Sequence, residues 1–255
     1  MRGFDKNIRK LSQEFFEAEL RDYGDVIPPS GQDASTLLEL LHGAIPSNDD
    51  FHCLDIGCGL GYAARAVKRL SPGAKVFGVD ISKAVIERAR ESAPSNAVSY
   101  EVADELSLPY ESETFDLAVC RYSIHHYPDV VAHLREVRRV LRPGGAYLVI
   151  DPMPHPGKYD AWVNHLFVTV ERSTSGHVKF YTASEYESFA KAGGFTIGKI
   201  EPFDFRLELD TRGGLYAVIR DMPADFQRLV AFQTQGNRFS IVMQAAGIYC
   251  YKAGS

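Results

Sequence analysis

The chain has 255 residues, of which 45% are apolar and 24% charged, a composition typical of globular proteins that excludes a disordered or fibrous chain. Its formal charge of −5 supplies no positive excess for binding nucleic acid. No apolar run is long enough to span a bilayer, and the N-terminus lacks the apolar core of a signal peptide. We therefore expect a soluble, cytoplasmic protein that neither binds nucleic acid nor inserts into membranes.

The four cysteines, Cys53, Cys58, Cys120 and Cys250, have no paired spacing, and three of them lie in or beside apolar, strand-like runs. Buried free thiols in a reducing compartment fit this distribution better than disulfides or a zinc site. We therefore predict no disulfide and no metal centre.

Strand and helix patterns alternate from residue 51 to about residue 150. Ser82 is placed to cap the second helix, and the segment Arg142–Gly145 ends the third helix before the fifth strand. Strands separated by helices predict a parallel sheet with right-handed crossovers, in which ligands bind beyond the carboxyl ends of the strands. The predicted strands are FHCLDIG, AKVFGVD, AVSYEVA, FDLAVCR and AYLVID, and the predicted helices are YAARAVKRL, SKAVIERARESA and DVVAHLREVRRVL.

The segments on either side of this region have different patterns. Residues 1–43 contain two predicted helices around a turn-rich segment, and three prolines follow Asp151. Thr182–Glu185 has the sequence of a capping box, which predicts a helix that ends at Gly193 and Gly194. Two long runs, FTIGKIEPFDFRLEL and RFSIVMQAAGIYCYKA, predict late strands that are antiparallel to each other.

The run Leu54–Gly61, LDIGCGLG, places three glycines in a turn after the first predicted strand. A dinucleotide-binding turn has the spacing G-x-G-x-x-G, whereas this turn has G-x-G-x-G and Tyr62 where the third glycine is expected. The Asp55 carboxylate disfavours a pyrophosphate and suits a cationic ligand such as S-adenosylmethionine, which carries a sulfonium and an ammonium group. Asp80, at the end of the second strand, is placed to accept hydrogen bonds from the ribose of either nucleotide. A plain tight loop is the alternative interpretation of the glycines.

Several motifs resemble, in order and spacing, those of the class I S-adenosylmethionine-dependent methyltransferases, especially the branch that includes the ubiquinone and menaquinone biosynthesis enzymes. They are LDIGCGLG, GVDIS, VADELSLPY, FDLAVCRYSIHHYPD and LRPGG. The resemblance covers residues 51–151 and continues weakly through Gly176–Phe195. It implies an α/β fold: a doubly wound, mostly parallel seven-stranded sheet with helices on both faces and an antiparallel late strand. It also implies an N-terminal helical cap over residues 1–45 and a methyltransferase domain over residues 46–255, with a cofactor half at 51–151 and an acceptor half at 152–255.

The resemblance further implies that the cofactor is S-adenosylmethionine, with S-adenosylhomocysteine as the product. On the methionine side of the ligand, Gly57, Cys58 and Gly59 are expected to supply closely approaching backbone. Asp55 is expected to orient the ammonium group, directly or through water. Arg121, at the end of the fourth strand, is expected to offer its backbone carbonyl to the same group.

On the nucleoside side, the resemblance implies that Asp80 holds the ribose and that Ile81 lies against the adenine. Asp104, flanked by Ala103 and Glu105, takes the position at which the family has an acid that accepts from the adenine amino group. A helix cap is the alternative role for Asp104.

The motif IHHY places His125 and His126 just beyond the fourth predicted strand. Histidine is suited to removing a proton from a phenol, enol or acidic carbon near neutral pH, so we expect His125 to be the catalytic base. Neighbouring side chains on an extended segment point in opposite directions, so we expect His126 to pack beside the cofactor or to make a local hydrogen bond. The quinone-biosynthesis relatives have arginine and asparagine at these positions, which makes a quinone precursor a less expected substrate. His177 and Tyr181 are expected either to line the acceptor pocket or to lie on a surface loop.

The sequence therefore predicts an enzyme that methylates a small organic acceptor, a metabolite or natural-product intermediate, at an acidic O–H or C–H group activated by a histidine. Enzymes that methylate amino groups of DNA and proteins often carry Asn/Asp-Pro-Pro-Tyr after the fourth strand, where this chain has CRYS, so we expect neither of those acceptors. Two alternatives are a methyltransferase-like protein that binds the cofactor without methylating and a nicotinamide-dependent oxidoreductase. Both a monomer and a homodimer are compatible with the sequence.

Overall fold

The computed structural model describes residues 31–92, 97–154, 179–210, 216 and 219–254 of the chain. Within these residues there are six α-helices: α1 (Gly31–His42), α2 (Tyr62–Leu70), α3 (Lys83–Ser92), α4 (Val130–Val140), α5 (Ala183–Gly193) and α6 (Ala224–Leu229). The strands are β1 (His52–Ile56), β2 (Lys75–Asp80), β3 (Ser99–Val102), β4 (Phe115–Arg121), β5 (Leu141–Met153), β6 (Thr196–Asp210), β7 (Gln233–Gln235) and β8 (Arg238–Tyr251). One turn of 3-10 helix, Ile124–His126, follows β4.

The strands form one sheet in the order β3-β2-β1-β4-β5-β8-β6, with the short β7 paired to β8. Strands β1 to β5 are parallel to their neighbours in that group, whereas β8 is antiparallel to both β5 and β6. The predicted doubly wound, mostly parallel sheet with an antiparallel late strand is therefore confirmed. The sheet has eight strands rather than seven because β7 adds a three-residue segment. The strand order reverses at β1, and ligands bind at such a switch point.

Helices cover both faces of the sheet because its central strands present apolar side chains on both sides. On one face, α1, α2 and α3 bury Leu41, Ala64 and Ile86 against the sheet. On the other face, α4 and α5 bury Val137 and Tyr186. Burial on both faces explains why β1 and β4 are continuous apolar runs in the sequence instead of alternating ones.

Two predicted helix starts are confirmed by their hydrogen bonds. The Ser82 hydroxyl accepts from the Val85 N–H at 3.3 Å. At the start of α5, the Thr182 hydroxyl accepts from the Glu185 N–H at 3.3 Å and the Glu185 carboxylate accepts from the Thr182 N–H at 2.9 Å. Helix α5 ends as predicted, with Gly194 in the left-handed conformation at φ 83°.

We expect Thr182→Ala to lower the free energy of unfolding by about 1 kcal/mol, because it removes the acceptor for an N–H group that has no partner within the helix. Chemical denaturation of the purified protein measures this change. Ser188→Ala is the matched control, since the exposed Ser188 hydroxyl bonds only to a carbonyl of its own helix. We expect the control to change stability by less than about 0.5 kcal/mol, and an equal loss in both variants would contradict the capping role.

The segment Arg142–Gly145 differs from its prediction as a turn between α4 and the fifth strand. Strand β5 begins at Leu141 and includes this segment, with a shift in its register against β4 and with Gly144 at φ 77°. Lys252 holds the irregular backbone, because its N–H donates to the Gly145 carbonyl at 2.9 Å and its ammonium group donates to the Leu141 carbonyl at 2.6 Å. The local sequence contains no signal for a contact with the far end of the chain.

Strands β6 and β8 extend beyond β5 and form a further apolar cluster with α6, which the sequence analysis did not predict. Its most buried members include Ile219, Phe226, Val230, Phe239 and Ile241. Phe180 of this cluster contacts His125, so the cluster reaches the loop that carries the two histidines.

Several predictions fall wholly or partly outside the described residues. These are the helix before α1, the cap over residues 1–45 except for its last part, most of the proline-containing segment after Asp151, and the role of His177. All four cysteines are buried free thiols, as predicted. None of the helices in the described ranges has the length and apolarity needed to cross a membrane.

Candidate active site

A cleft lies at the carboxyl ends of the parallel strands, where doubly wound sheets bind their ligands. Its walls are formed by residues that end or follow β1, β2, β3 and β4. The predicted site residues in its lining are Gly57, Asp80, Ile81, Ala103, Glu105 and His126. The other lining residues are Ile56, Val79, Ser123, Tyr127 and Pro128.

The glycine turn is closely packed on one side and open on the other. A Cβ atom on Gly57 would lie 2.1 Å from the Ser123 hydroxyl, and one on Gly61 would lie 1.9 Å from the Tyr100 hydroxyl, so neither position accommodates a side chain. All three glycines of the turn also have positive φ angles, which favour glycine. A Cβ atom on Gly59 would meet nothing within 4 Å, so a ligand has room to approach the backbone there.

Asp80 lines the cleft at the end of β2, and its carboxylate closes the glycine turn. Its Oδ2 accepts from the Gly59 N–H at 3.0 Å, and its Oδ1 accepts from the Ser82 N–H at 2.9 Å. Burial raises the pKa of Asp80, and the backbone hydrogen bonds act in the opposite direction. Each carboxylate oxygen keeps a further lone pair, so Asp80 can also accept a hydrogen bond from a ligand hydroxyl.

Asp55 lies behind the glycine turn rather than in the cleft lining, with 1% of its surface exposed. Its Oδ2 accepts from the Ala64 N–H at 2.9 Å and so positions the start of α2. Its Oδ1 is buried without a hydrogen-bond partner among the described residues. Burial raises the pKa of Asp55 to about 7, while the Ala64 hydrogen bond and the nearby Arg121 charge lower it. A buried carboxylate oxygen without a partner fits a cation or a water-mediated contact to one.

The three predicted residues after β3 occupy different positions. Ala103 and Glu105 line the cleft, and Glu105 is only 8% exposed. Asp104 is outside the lining, and its Oδ1 accepts from the Leu106 N–H at 2.7 Å. Asp104 thus caps its own turn, a local role close to the helix cap weighed as the alternative, and Glu105 is the acid that reaches the cleft after β3.

Cys58 and Arg121 also lie outside the lining. The Cys58 N–H donates to the Val79 carbonyl at 2.9 Å, which ties the glycine turn to β2. The Arg121 guanidinium stands over the ring of Tyr122, 4.2 Å from its centroid. The cofactor contacts expected of Cys58 and Arg121 use backbone atoms, and they stay predictions.

His125 and His126 lie in a 3-10 turn and not on an extended segment, so the predicted alternation of their side chains is wrong. Tyr122 has a φ of 52°, which turns the chain away from the line of β4 before the histidines. The two imidazole rings are 4.2 Å apart between centroids. His126 nevertheless lines the cleft, whereas His125, 6% exposed, lies beside it.

Two residues that the sequence analysis missed hold His125 in place. Its Nδ1 lies 2.8 Å from Oδ1 of Asp151, and the Tyr186 hydroxyl donates to Oδ2 of the same carboxylate at 3.0 Å. Asp151 is fully buried in β5. Burial raises its pKa, and the charge and hydrogen bond of His125 together with the Tyr186 hydrogen bond lower it. The sequence contained a signal for Asp151, because this residue ends the fifth predicted strand. That strand is the neighbour of the fourth, which the histidines follow.

The residues around this cleft fit S-adenosylmethionine. Two acidic residues, Asp80 and Glu105, line the cleft, and behind the turn lies the Asp55 oxygen that has no hydrogen-bond partner among the described residues. This arrangement favours a ligand that carries positive charge and disfavours a pyrophosphate. The open backbone at Gly59 leaves space for the ligand to approach the turn closely.

Comparisons with known proteins agree with this interpretation. A family model described as a methyltransferase domain matches residues 54–149. The chain is 30% identical over 200 residues to 27-O-demethylrifamycin SV methyltransferase of Amycolatopsis mediterranei (strain S699), covering 76% of this chain and 72% of the relative. It is 33% identical over 169 residues to the uncharacterized methyltransferase YcgJ of Bacillus subtilis (strain 168), covering 63% of this chain and 64% of the relative. The crystal structure of YcgJ superimposes with a TM-score of 0.70 at 24% identity, covering 87% of this chain and all of the other, a likeness of fold.

The fold and the cleft thus define a Rossmann-like protein whose cleft suits a cationic ligand. The chain belongs to the class I S-adenosylmethionine-dependent methyltransferases, and S-adenosylmethionine is the cofactor of this family. This assignment favours the methyltransferase hypothesis over the nicotinamide-dependent oxidoreductase. The sequence match spans slightly less than two thirds of the length of YcgJ, and the name of that relative assigns no substrate.

Proposed function

We propose that this protein transfers the methyl group of S-adenosylmethionine to an acidic O–H or C–H group of a small organic acceptor, with His125 as the catalytic base. The observation that carries this proposal is the 2.8 Å contact between His125 Nδ1 and the buried carboxylate of Asp151. An imidazole oriented by a buried carboxylate beside a ligand cleft is an arrangement typical of general bases.

The cleft residues are proposed to bind and orient the cofactor, which supplies an electrophilic methyl group when bound. Asp80 accepts hydrogen bonds from the ribose, and Glu105 is the candidate acceptor for the adenine amino group. His126 packs beside the cofactor, since it lines the cleft while its neighbour does not. Precise placement accounts for much of the rate in such a transfer, because the nucleophile must lie in line with the methyl group.

His125 is proposed to take the proton of the acceptor. Because its Nδ1 hydrogen is directed at Asp151, the lone pair of the neutral imidazole is on Nε2. After proton transfer the imidazolium lies beside the Asp151 carboxylate, whose other oxygen is held by Tyr186. A neutral amine reacts without a base, so this buried arrangement favours an O–H or C–H acceptor over an amine.

The surroundings of His125 favour an acceptor with apolar parts. The ring of Phe180 meets His125 edge-on at 5.3 Å between centroids, and Phe180 belongs to the apolar cluster of β6, β8 and α6. The Lys179 N–H donates to the His125 carbonyl at 3.2 Å, which joins this segment to the histidine turn. These contacts support the division into a cofactor half and an acceptor half from residue 152. The relative from Amycolatopsis is named for 27-O-demethylrifamycin SV, a small-molecule acceptor.

The proposed activity is tested by incubating the protein with methyl-labelled S-adenosylmethionine and paired acceptors that differ only in a phenolic hydroxyl or an amino group. Label in the hydroxyl product supports the proposal. If the protein binds the cofactor but labels none of a broad panel of phenols, enols and polyketides, the non-methylating alternative is favoured.

Replacing Asp151 by asparagine is expected to lower turnover about tenfold or more while leaving the affinity for S-adenosylhomocysteine unchanged. The asparagine amide turns an N–H group toward Nδ1 and so favours the imidazole tautomer without a lone pair on Nε2. Tyr186→Phe is the matched control, because it removes one hydrogen bond to the same carboxylate without changing the tautomer, and a smaller loss is expected. Wild-type turnover in Asp151→Asn would remove the main support for His125 as the base.

A further inference from the structure

Two groups of buried, hydrogen-bonded side chains lie beneath the cleft. The first consists of Ser123, which lines the cleft, with Tyr127 and Cys120. The second consists of Tyr147 and His133 and ends at the backbone carbonyl of Glu105, another lining residue. All of them are buried.

The second group has a defined direction, set by His133. The Glu105 carbonyl can only accept, so Nδ1 of His133, at 3.2 Å, carries a hydrogen. Complete burial lowers the pKa of His133 to about 4, so the imidazole is neutral at neutral pH. Its Nε2 therefore accepts from the Tyr147 hydroxyl at 2.7 Å.

Beneath the histidine turn, the Ser123 hydroxyl donates to the Tyr127 oxygen at 3.0 Å. The same Tyr127 oxygen lies 3.6 Å from the Cys120 sulfur. Burial raises the pKa of Cys120, Tyr127 and Tyr147, so all three keep their hydrogens. The hydrogen of Ser123 consequently points away from the cleft.

We propose that Ser123 is a cofactor-binding residue that accepts a hydrogen bond from the ammonium group of the methionine portion of S-adenosylmethionine. Ser123 is 9% exposed, and its Oγ packs against the backbone at Gly57, the part of the turn expected to lie beside that portion. With its hydrogen committed to Tyr127, the hydroxyl offers only lone pairs to the cleft. Lone pairs attract an N–H cation and repel phosphate or carboxylate oxygens. The inference rests on the proposed function, because it needs this cleft to hold the cofactor.

The test compares two ligands by calorimetry: S-adenosylhomocysteine and its analogue without the α-amino group. Ser123→Ala is expected to weaken binding of S-adenosylhomocysteine roughly tenfold and to change binding of the desamino analogue less than about twofold, since a hydrogen bond to a charged group is lost only in the first case. Tyr127→Phe frees the Ser123 hydrogen to point into the cleft, and a smaller loss with the same ligand selectivity is expected. Ser71→Ala is the matched control and should change neither affinity. Ser71 is also a buried serine, but it lies between α2 and β2, at the amino ends of the strands.

Equal weakening of both ligands by Ser123→Ala, or no weakening of either, overturns the inference. Ser123→Cys keeps a side chain of similar volume that is a poorer hydrogen-bond acceptor. Its affinity for S-adenosylhomocysteine should lie between those of the wild type and Ser123→Ala, which tests the inference independently of any change in folding. Asp80→Ala separates this inference from the proposed site. If it weakens S-adenosylhomocysteine while Ser123→Ala does not, the cleft holds the cofactor and only the role of Ser123 is wrong. If both variants bind as wild type, the cleft is not the cofactor site and both proposals fail.

Discussion

Replacing His125 by alanine is expected to lower turnover about a hundredfold or more while the affinity for S-adenosylhomocysteine stays nearly unchanged. The reason is that His125 is held by Asp151 beside the cleft but does not line it, so it is placed to act on the acceptor rather than on the cofactor. Turnover at saturating cofactor and acceptor, together with calorimetry of S-adenosylhomocysteine, measures the two quantities separately.

Alanine at position 125 also removes a donor from the buried Asp151 carboxylate, which lowers stability as well as activity. His125→Gln is therefore a necessary companion, because its amide can still donate to Asp151 but is not a base. The same loss of turnover is expected in His125→Gln, with less effect on the free energy of unfolding. Agreement between the two variants would assign the loss to the missing base and not to a disturbed core.

His126→Ala is the matched comparison for this prediction, since it truncates the neighbouring ring of the same turn. His126 lines the cleft, so its loss is expected to weaken cofactor binding and to change turnover at saturation much less. In the pH dependence of turnover, the titration of the general base should be absent from the His125 variants and present in His126→Ala. If the His125 and His126 variants all keep the wild-type rate and profile, neither histidine is catalytic and the pair has a packing role.

The sequence predicts the fold, and it brings several of the predicted site residues to one cleft, because both depend on local patterns. Apolar runs alternating with amphipathic helices specify the parallel sheet, and the carboxyl ends of its strands then converge. Gly57, Asp80 and Ile81 follow those strands directly, so their placement at one cleft needs no knowledge of long-range packing. The same reasoning places His126 at the cleft. The predicted direction of its side chain, however, assumed an extended backbone, and that assumption is wrong.

The groups that the sequence did not predict are brought together by packing between distant segments. Asp151 and Tyr186 meet His125 from β5 and α5, and Lys252 holds the start of β5 from the far end of the chain. No periodicity or spacing relates such residues, because their contact depends on how the helices seat on the sheet. The buried hydrogen bond from Tyr147 to His133 has the same origin, since it joins β5 to α4.

Asp80→Ala is expected to weaken binding of S-adenosylmethionine and of S-adenosylhomocysteine by roughly 2–4 kcal/mol, the scale for losing buried hydrogen bonds to a charged group. Two contributions are combined in this value, because the Asp80 carboxylate also accepts from the N–H groups of Gly59 and Ser82 and so holds the turn closed. The direct contribution is isolated by repeating the titrations with an S-adenosylhomocysteine analogue that lacks the ribose hydroxyls.

If Asp80 binds the ribose, removing the carboxylate and removing the hydroxyls delete the same interaction, and their effects should not add. The variant should then bind the two ligands with similar affinity, while the wild type distinguishes them. Asp116→Ala is the matched control, because Asp116 accepts from the His52 N–H at 2.8 Å near the start of β4, at the opposite end of the sheet from the cleft. Loss of this carboxylate disturbs a comparable backbone contact, yet both ligands should bind as they do to the wild type. Fully additive effects of Asp80→Ala and the missing hydroxyls would show that Asp80 only shapes the glycine turn, and the ribose would then require another partner.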